Sequence, residues 1–175
     1  MLEKICLLGY MGSGKTTVAK LLALEIPFLL KDLDNLIEEE SHLSIPEIFR
    51  QKGEIYFRRT ESEVLKKVLK KPSKLILSLG GGTPCYANNM DMIINNPKTT
   101  SIYLKNSIET LVERLSIEKS QRPLISHLKT TELLSDFVRK HLFERSYYYN
   151  QSTIVISCDG LTPEDIVEEI KKKLF

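Results

Sequence analysis

The sequence lacks tryptophan, has few cysteines and contains no hydrophobic run long enough to cross a membrane. Its three cysteines, Cys6, Cys85 and Cys158, form neither a Cys-x-x-Cys pair nor a metal-like cluster with the three histidines. This odd number predicts reduced thiols and argues against a disulfide-stabilised secreted domain. The most apolar stretch, residues 21–30, is about half the length of a membrane span, so it is expected to be core.

An excess of charge of either sign is also missing. The 25 lysines and arginines nearly balance the 23 aspartates and glutamates, which gives a net charge of +2. The protein as a whole has no strong positive potential that would attract nucleic acid or an anionic membrane, so neither is expected as a partner. Residues 1–4 lead directly into the first predicted strand and leave no room for a signal peptide, so we expect a cytoplasmic protein. The 175 residues suit one domain over residues 1–175, and we expect a monomer.

The most informative segment present is Gly-x-x-x-x-Gly-Lys-Thr at residues 9–16, between an apolar run and a helix-like stretch. Glycines allow successive backbone N–H groups to point at one anion beside the following helix N-terminus. Lys15 would reach the β- and γ-phosphates of a nucleotide, and the Thr16 hydroxyl would ligate Mg²⁺. An ordinary glycine-rich turn is the alternative, but it leaves Lys15 unexplained. The residues predicted to bind the nucleotide here are Gly12, Ser13, Gly14, Lys15, Thr16 and Thr17.

Short apolar runs alternate with amphipathic stretches along the chain. The predicted strands are 5–8, 28–32, 75–79, 99–104 and 153–157. The predicted helices are 15–26, 35–40, 44–52, 54–71, 88–94, 107–115, 131–149 and 162–174, with a break at Gly53. Strands that alternate with helices form parallel sheets through right-handed crossovers. The pattern therefore predicts an α/β fold, a three-layer α/β/α sandwich with a five-stranded parallel sheet.

Two carboxylates and a glycine triplet follow predicted strands, at the edge where open α/β sheets bind ligands. Asp32 and Asp34 end the second strand, and on an extended segment their side chains would face the same side. One could serve a metal ion while the other holds a substrate hydroxyl. The alternative for Asp34 is a cap on the next helix. Gly80-Gly81-Gly82 after the third strand gives a backbone that a ligand can approach closely.

Arginines are further candidates for binding the anionic groups of a ligand. Arg58 and Arg59 are adjacent on a predicted helix, so they point about 100° apart and only one can face the sheet edge. An inward-facing arginine suits a carboxylate ligand because its fork binds two oxygens, whereas the alternative is a solvated pair. Arg122 lies in a long polar connection, residues 117–131, which predicts a mobile lid that brings positive charge to the transferring phosphoryl group.

A phosphate loop alone does not separate a kinase from a GTPase or a motor protein. The sequence has no Asn-Lys-x-Asp and no strand ending in Asp-x-x-Gly, which lowers the expectation of a guanine-nucleotide switch. The chain instead resembles the shikimate kinase family of nucleoside-monophosphate-kinase-like P-loop folds, over nearly its whole length. The motifs that carry this resemblance are residues 9–16, Asp32-x-Asp34, Phe57-Arg58-Arg59 with Glu61, Gly80-Gly81-Gly82, Arg122-Pro123-Leu124, and Arg145 followed by Tyr149.

The resemblance implies phosphorylation of the 3-hydroxyl of shikimate by MgATP, on the route to chorismate and the aromatic amino acids. It implies that Asp34 binds the substrate hydroxyls and lies near the attacking oxygen. It also implies that Arg58 and Arg145 grip the shikimate carboxylate, and that the triplet Gly80-Gly81-Gly82 contacts the ring through its middle glycine. Residues 34–62 would then form the substrate-binding helical segment.

For the nucleotide, the resemblance implies that Arg122 in the lid touches the phosphates and that Arg114 lies against the adenine. Lys15, Asp34 and Arg122 would be the catalytic residues. Magnesium would sit on Thr16, with Asp32 reached through water.

Two rival functions remain open at this point. A related P-loop kinase could act on another small hydroxylated acid, such as gluconate. A non-enzymatic nucleotide switch is the second, but it has no use for two carboxylate-binding arginines beside an Asp-x-Asp pair.

Overall fold

The computed structural model describes residues 2–118 and 123–175, and the predicted alternation of strands and helices is present there. The strands are β1 (Lys4–Leu8), β2 (Leu29–Asp32), β3 (Leu75–Ser78), β4 (Thr99–Lys105) and β5 (Ile154–Ser157). The helices are α1 (Lys15–Glu25), α2 (Leu33–Ser41), α3 (Ile45–Lys70), α4 (Asn89–Ile94), α5 (Ile108–Glu118), α6 (Pro123–Ser126), α7 (Thr131–Tyr149) and α8 (Pro163–Leu174), with a short 3-10 helix at Thr83–Cys85. Every predicted strand is confirmed, with small shifts at its ends.

The strands form one five-stranded parallel sheet in the order β2-β3-β1-β4-β5, which places β1 at the centre. Alternate side chains of β1 enter two different clusters, Ile5 and Leu7 on one face and Cys6 and Leu8 on the other. Successive strand residues point to opposite faces, so both faces of the sheet are covered. The predicted three-layer sandwich is confirmed.

Helices on the two faces bury these clusters. Helices α1 and α8 cover one face, whereas α2, α3 and α4 cover the other. A third cluster joins α5, α6 and α7 to Tyr10 and Tyr103. This third cluster matters for function because Tyr10 lies inside the phosphate loop, so α5 and α7 are packed directly against that loop.

The predicted lid, residues 117–131, lies only partly within the described residues. Helix α5 extends through Glu118, and α6 occupies Pro123–Ser126. Residues 119–122 lie outside the described part of the chain, so the mobility predicted for this segment stays a prediction.

Helix α3 is interrupted at Gly53, as the sequence predicted. Gly53 has φ 82° and ψ 173°, a backbone conformation that residues with side chains rarely adopt. The first half of α3 begins at a reciprocal capping box between Ser44 and Glu47. The second half carries Arg58 and Glu61, so the break separates the start of the helix from the part that contributes to the site described below.

Gly53→Ala is expected to lower the free energy of unfolding by about 1–3 kcal/mol, because alanine is strained in this backbone conformation. No described atom lies within 4 Å of the position that the added methyl would occupy, so the loss comes from the backbone alone. Chemical denaturation measures this loss in the free energy of unfolding. The control Gln51→Ala, exposed on the same helix, should stay within about 0.5 kcal/mol of the wild type. Equal stability of Gly53→Ala and the wild type would contradict this account of the break.

Candidate active site

The phosphate loop connects β1 to α1, and Lys15 is the first residue of that helix. The Lys15 ammonium donates hydrogen bonds to the carbonyl oxygens of Gly9, at 2.7 Å, and Tyr10, at 2.9 Å. Its charge therefore lies over the loop, beside the N-terminal N–H groups of α1. The first turn of α1 contains no acidic residue. This end of the helix is thus electropositive, as an anion-binding site requires.

Helix α5 closes one side of the loop. Arg114 donates a hydrogen bond to the carbonyl oxygen of Gly12 at 3.2 Å. The Leu115 side chain lies 3.2 Å from the position that a Cβ on Gly12 would occupy, so this close approach requires glycine. Thr16 and Thr17, in the first turn of α1, are exposed and line the same cavity as Arg114. The loop thus has an arginine at its rim and hydroxyl groups toward the open cleft.

The backbone conformation at Asp32 and Asp34 differs from the one that the sequence predicted. Asp32 is the last residue of β2, and its carboxylate accepts a hydrogen bond from the backbone N–H of Asp34 at 2.9 Å, so it caps α2. Because helix α2 begins at Leu33, Asp34 lies in the first helical turn and not on an extended segment. The expectation that both carboxylates follow an extended chain is therefore wrong, and the capping role considered for Asp34 belongs to Asp32. The cause is local, since a short carboxylate readily pairs with the free N–H groups of a helix start.

Asp34 lies in an environment that disfavours its charge. Burial, and after it the nearby carboxylates of Asp32, Glu61 and Glu38, raise the pKa of its carboxyl to about 6, with Lys15 opposing them. A group at this pKa is largely ionised at neutral pH and can accept a hydrogen bond or a proton. Asp34 is therefore both costly to the fold and chemically useful.

The glycine triplet after β3 brings the remaining side chains together. A Cβ at Gly80 would lie 3.3 Å from Asp34 Oδ1, and one at Gly81 would lie 3.5 Å from Arg145 Nη1. At Gly82 the same position is only 2.9 Å from Arg58 Nη2. Three side chains from three different helices thus approach three successive glycines. The approach at Gly82 is too short to admit a side chain unless Arg58 moves.

Arg58 and Arg59 point in different directions, as their helical spacing requires. Arg58 is 20% exposed and pairs with the buried carboxylate of Glu61 at 2.9 Å. Arg59 is 78% exposed and pairs with Glu63 on the outer face of the helix. The solvated-pair alternative therefore describes Arg59 but not Arg58, which lies at the cleft.

Helix α7 reaches the same triplet through two side chains. Besides the approach of Arg145, the Tyr149 hydroxyl donates a hydrogen bond to the carbonyl oxygen of Gly81 at 2.5 Å. The Arg145 guanidinium carbon lies 5.5 Å from the centre of the Tyr10 ring, within the range of a cation–π contact. Tyr149 is fully buried, which makes it a structural link and not a ligand.

The residues nominated for magnesium lie in one cleft. Thr16 and Asp32, the two nominated residues, line the same cavity as Asp34 and Ser78, and all four side chains offer oxygen atoms. Among the described residues, no group of three or more His, Cys, Asp or Glu side chains could hold a metal ion without other ligands. Mg²⁺ commonly takes one or two protein oxygens and completes its shell with phosphates and water. The donor set therefore fits this ion.

The cavity over the loop, about 650 Å³ in volume, extends to residues that the sequence analysis did not nominate. These residues lie beyond β5 and at the end of α5: Glu118, Leu161, Pro163 and Ile166. Thr162 and Pro163 were recognised only as the start of α8. Their position after the last strand, at the carboxyl edge of the sheet, is the signal that could have identified them.

Arg122, nominated for the nucleotide phosphates, lies outside the described residues. The structure brings the other nominated residues to one edge of the sheet. In the described part of the chain, no helix is long and apolar enough to cross a membrane.

Comparison with known proteins identifies the family. The family model for shikimate kinase matches residues 11–175. The chain is 48% identical over 174 residues to the shikimate kinase of Flavobacterium psychrophilum, covering 99% of this chain and 100% of that protein. Among solved structures it is similar to shikimate kinase from Bacteroides thetaiotaomicron, with a TM-score of 0.87, 34% identity and coverage of 98% of this chain and 97% of that chain.

A second similar structure is shikimate kinase from Acinetobacter baumannii in complex with shikimate, with a TM-score of 0.84, 30% identity and coverage of 99% of this chain and 93% of that chain. The resemblance seen in the sequence and the P-loop kinase fold are thereby confirmed. The chain belongs to the shikimate kinase family and is an ATP-dependent kinase.

Proposed function

We propose that this protein transfers the γ-phosphoryl group of MgATP to the 3-hydroxyl of shikimate, giving shikimate 3-phosphate and ADP. The observation that carries this assignment is the approach of Asp34, Arg145 and Arg58 to the three glycines of the triplet, beside the phosphate loop. One carboxylate and two arginines at these positions suit an acceptor that has both hydroxyl groups and a carboxylate.

The phosphate loop holds the nucleotide in this proposal. Backbone N–H groups of residues 12–17 and the Lys15 ammonium bind the phosphates, and Arg114 lies beside the adenine. Thr16 and Asp32, the latter through water, would hold Mg²⁺, which neutralises negative charge on the β- and γ-phosphates when it is bound. Arg122 adds positive charge from the connection that follows α5.

Asp34 orients the acceptor. Its carboxylate accepts a hydrogen bond from the 3-hydroxyl and keeps that oxygen in line with the γ-phosphorus. A bond forms between this oxygen and phosphorus as the bond to the β,γ-bridging oxygen breaks; ADP leaves with that oxygen, and the hydroxyl proton passes through the Asp34 carboxylate to water. Positioning and charge neutralisation supply most of the catalysis in such transfers.

Arg58 and Arg145 bind the carboxylate of shikimate in the same proposal. Both guanidinium groups lie against the triplet, so a carboxylate between them would hold the ring over Gly81. We further propose a cytoplasmic monomer that binds neither nucleic acid nor membrane. The net charge of +2 and the three unpaired cysteines support this assignment.

An acceptor panel tests the reaction. ADP release from MgATP is expected with shikimate and not with gluconate, with shikimate lacking its 3-hydroxyl, or without an acceptor. Shikimate that lacks its 3-hydroxyl offers no oxygen for phosphorylation at that position. Gluconate has a carboxylate and hydroxyl groups, but it lacks the rigid ring that fixes their spacing to match the arginines and Asp34. A coupled assay for ADP measures it. Release with gluconate at an equal rate would overturn the substrate assignment, and release with no acceptor would indicate an ATPase.

Lys15→Ala is expected to weaken ATP binding and to lower turnover about 10²- to 10³-fold, because a positive group beside the transferred phosphoryl is lost. Binding titration with ATP and the coupled assay measure the two effects separately. The control Lys66→Ala removes an exposed lysine on the outer side of α3 and should change neither quantity. A fully active Lys15→Ala protein would refute the loop assignment.

Asp34→Asn is expected to retain ATP binding, to lose most turnover, and to be more stable than the wild type at neutral pH. The carboxyl has a pKa of about 6 when folded, against an ordinary value of 3.8. The folded protein thus binds more protons between these values, and the stability that Asp34 contributes falls as the pH rises through this window. With a discount for partial solvent access, the gain at pH 7.5 should be about 1 kcal/mol, and it should vanish near pH 4.

Chemical denaturation at both pH values, without nucleotide or magnesium, measures this gain independently of activity. The control is Glu113→Gln, an exposed carboxylate on α5, whose free energy of unfolding should stay within about 0.5 kcal/mol of the wild type. An Asp34→Asn protein with full turnover would remove Asp34 from the mechanism. A gain that does not grow with pH would contradict the electrostatic description of the site.

A further inference from the structure

The segment that follows the glycine triplet contacts Arg58 and Glu61 in ways that the proposed reaction has not used. It comprises the 3-10 helix Thr83–Cys85 and the next residue, Tyr86. The Tyr86 side chain is partly exposed, with 37% of its surface accessible. Tyr86 contacts Arg58 and Thr83 contacts Glu61, so both can affect the reaction through these residues of α3.

Tyr86 covers one face of the Arg58 guanidinium. The guanidinium carbon lies 3.8 Å from the centre of the Tyr86 ring, which is the distance of direct stacking. The Phe57 ring is farther away, at 5.0 Å. Cation–π contacts occur within about 6 Å and are strongest when the pair is shielded from water. At 20% exposure, Arg58 is largely shielded.

The edge of the same guanidinium is fixed by a chain of buried hydrogen bonds. Arg58 Nη1 donates to Glu61 Oε2 at 2.9 Å, and the other carboxylate oxygen of Glu61 accepts from the Thr83 hydroxyl at 2.7 Å. The Asn89 amide in turn donates to the carbonyl oxygen of Thr83 at 2.9 Å. The carboxylate that holds Arg58 is thus itself held by the segment after the triplet.

These contacts leave the guanidinium little freedom. Its carbon lies over the Tyr86 ring, one nitrogen is bound to Glu61, and its nitrogens lie 2.9 and 3.0 Å from the position that a Cβ on Gly82 would occupy. A long arginine side chain loses considerable rotamer freedom when it is held in one place. If the folded protein already holds the side chain in place, this conformational entropy is not lost when a ligand binds, and the ligand binds more tightly.

We propose that Tyr86 is a positioning residue for acceptor binding, which acts by stacking on Arg58 and keeping its fork directed at the carboxylate of the acceptor. This inference rests on the carboxylate-binding role of Arg58 in the proposed function. The hydroxyl of Tyr86 has no part in it, because only the aromatic face meets the guanidinium. Thr83 supports the same arginine from its edge, through Glu61.

Tyr86→Ala is expected to raise KM for shikimate about three- to tenfold, with kcat and KM for ATP unchanged, because the contact is equal in the ground and transition states. Tyr86→Phe keeps the ring face and should match the wild type. Tyr86→Leu keeps apolar bulk without a π face and should behave like the alanine variant. Tyr147→Ala, an exposed tyrosine on α7, is the control and should leave all three constants unchanged.

A purely structural role for Tyr86 predicts different results. A Tyr86→Leu protein with wild-type KM, or a Tyr86→Ala protein whose kcat falls together with its affinity for ATP, would overturn the proposal. Thermal melting of each variant shows whether the fold is intact. If Tyr86→Ala does not fold, the comparison of the phenylalanine and leucine variants decides the question on its own.

The dependence on Arg58 is tested separately. Arg58→Lys keeps the charge but loses the planar fork, and it should raise KM for shikimate while making a further Tyr86→Ala change neutral. Shikimate carboxamide, which lacks the negative charge, should bind wild type and Tyr86→Ala equally. If Arg58→Lys leaves KM unchanged, the proposed role of Arg58 fails. If Arg58→Lys raises KM and Tyr86→Ala adds its full effect to it, only the inference about Tyr86 fails.

Discussion

The pairing of β1 with β3 is the constraint on which the candidate site depends. In this parallel pair Leu7 lies beside Ser78, and the N–H of Leu79 continues the ladder by donating to the carbonyl oxygen of Leu7 at 3.1 Å. The phosphate loop and the glycine triplet therefore leave the sheet side by side. The Cβ position of Gly81 is only 3.5 Å from the carbonyl oxygen of Gly9. A nucleotide on one segment and an acceptor on the other are thus brought together by the backbone, which reduces the entropy lost on reaching the reactive geometry.

The same close approach concentrates like charges. The carboxylates of Asp32, Asp34 and Glu61 belong to different elements, but all of them approach the carboxyl edge of β2 and β3, and their mutual repulsion helps to raise the pKa of Asp34. Glu61 is paired with Arg58, whereas at Asp34 the positive charge of Lys15 opposes the repulsion from the neighbouring carboxylates. The fold therefore carries an electrostatic cost at the position where an acceptor hydroxyl has to be oriented. Such local costs are typical of sites in which function limits stability.

The sequence predicted those features that depend on neighbouring residues along the chain. Glycine spacing identified the phosphate loop and the triplet, and the break at Gly53 separated the two predicted helices that form the halves of α3. The conformation at Asp34 was not predicted because it depends on a single side-chain contact. The Asp32 carboxylate binds the N–H of Asp34, and helix α2 therefore starts at Leu33, two residues earlier than predicted. The role proposed for Tyr86 could not be predicted from the sequence, for a different reason. A lone tyrosine after a glycine-rich segment has no periodicity, and its meaning depends on Arg58, which only the tertiary fold brings to it.

Both arginines proposed to bind the acceptor carboxylate lie within cation–π distance of an aromatic ring, although they come from helices far apart in the sequence. Arg58 lies 3.8 Å from the ring centre of Tyr86, and Arg145 lies 5.5 Å from that of Tyr10. Adding further positive charge would attract anions of any shape. Two guanidinium groups held in fixed positions are more selective, because they favour an anion whose oxygens match both groups at once. A ligand of another shape would have to disrupt the ring contacts or leave one guanidinium group unpaired. If the two arginines bind the acceptor as proposed, we expect its selectivity to depend on the rings beside them as well as on the arginines themselves.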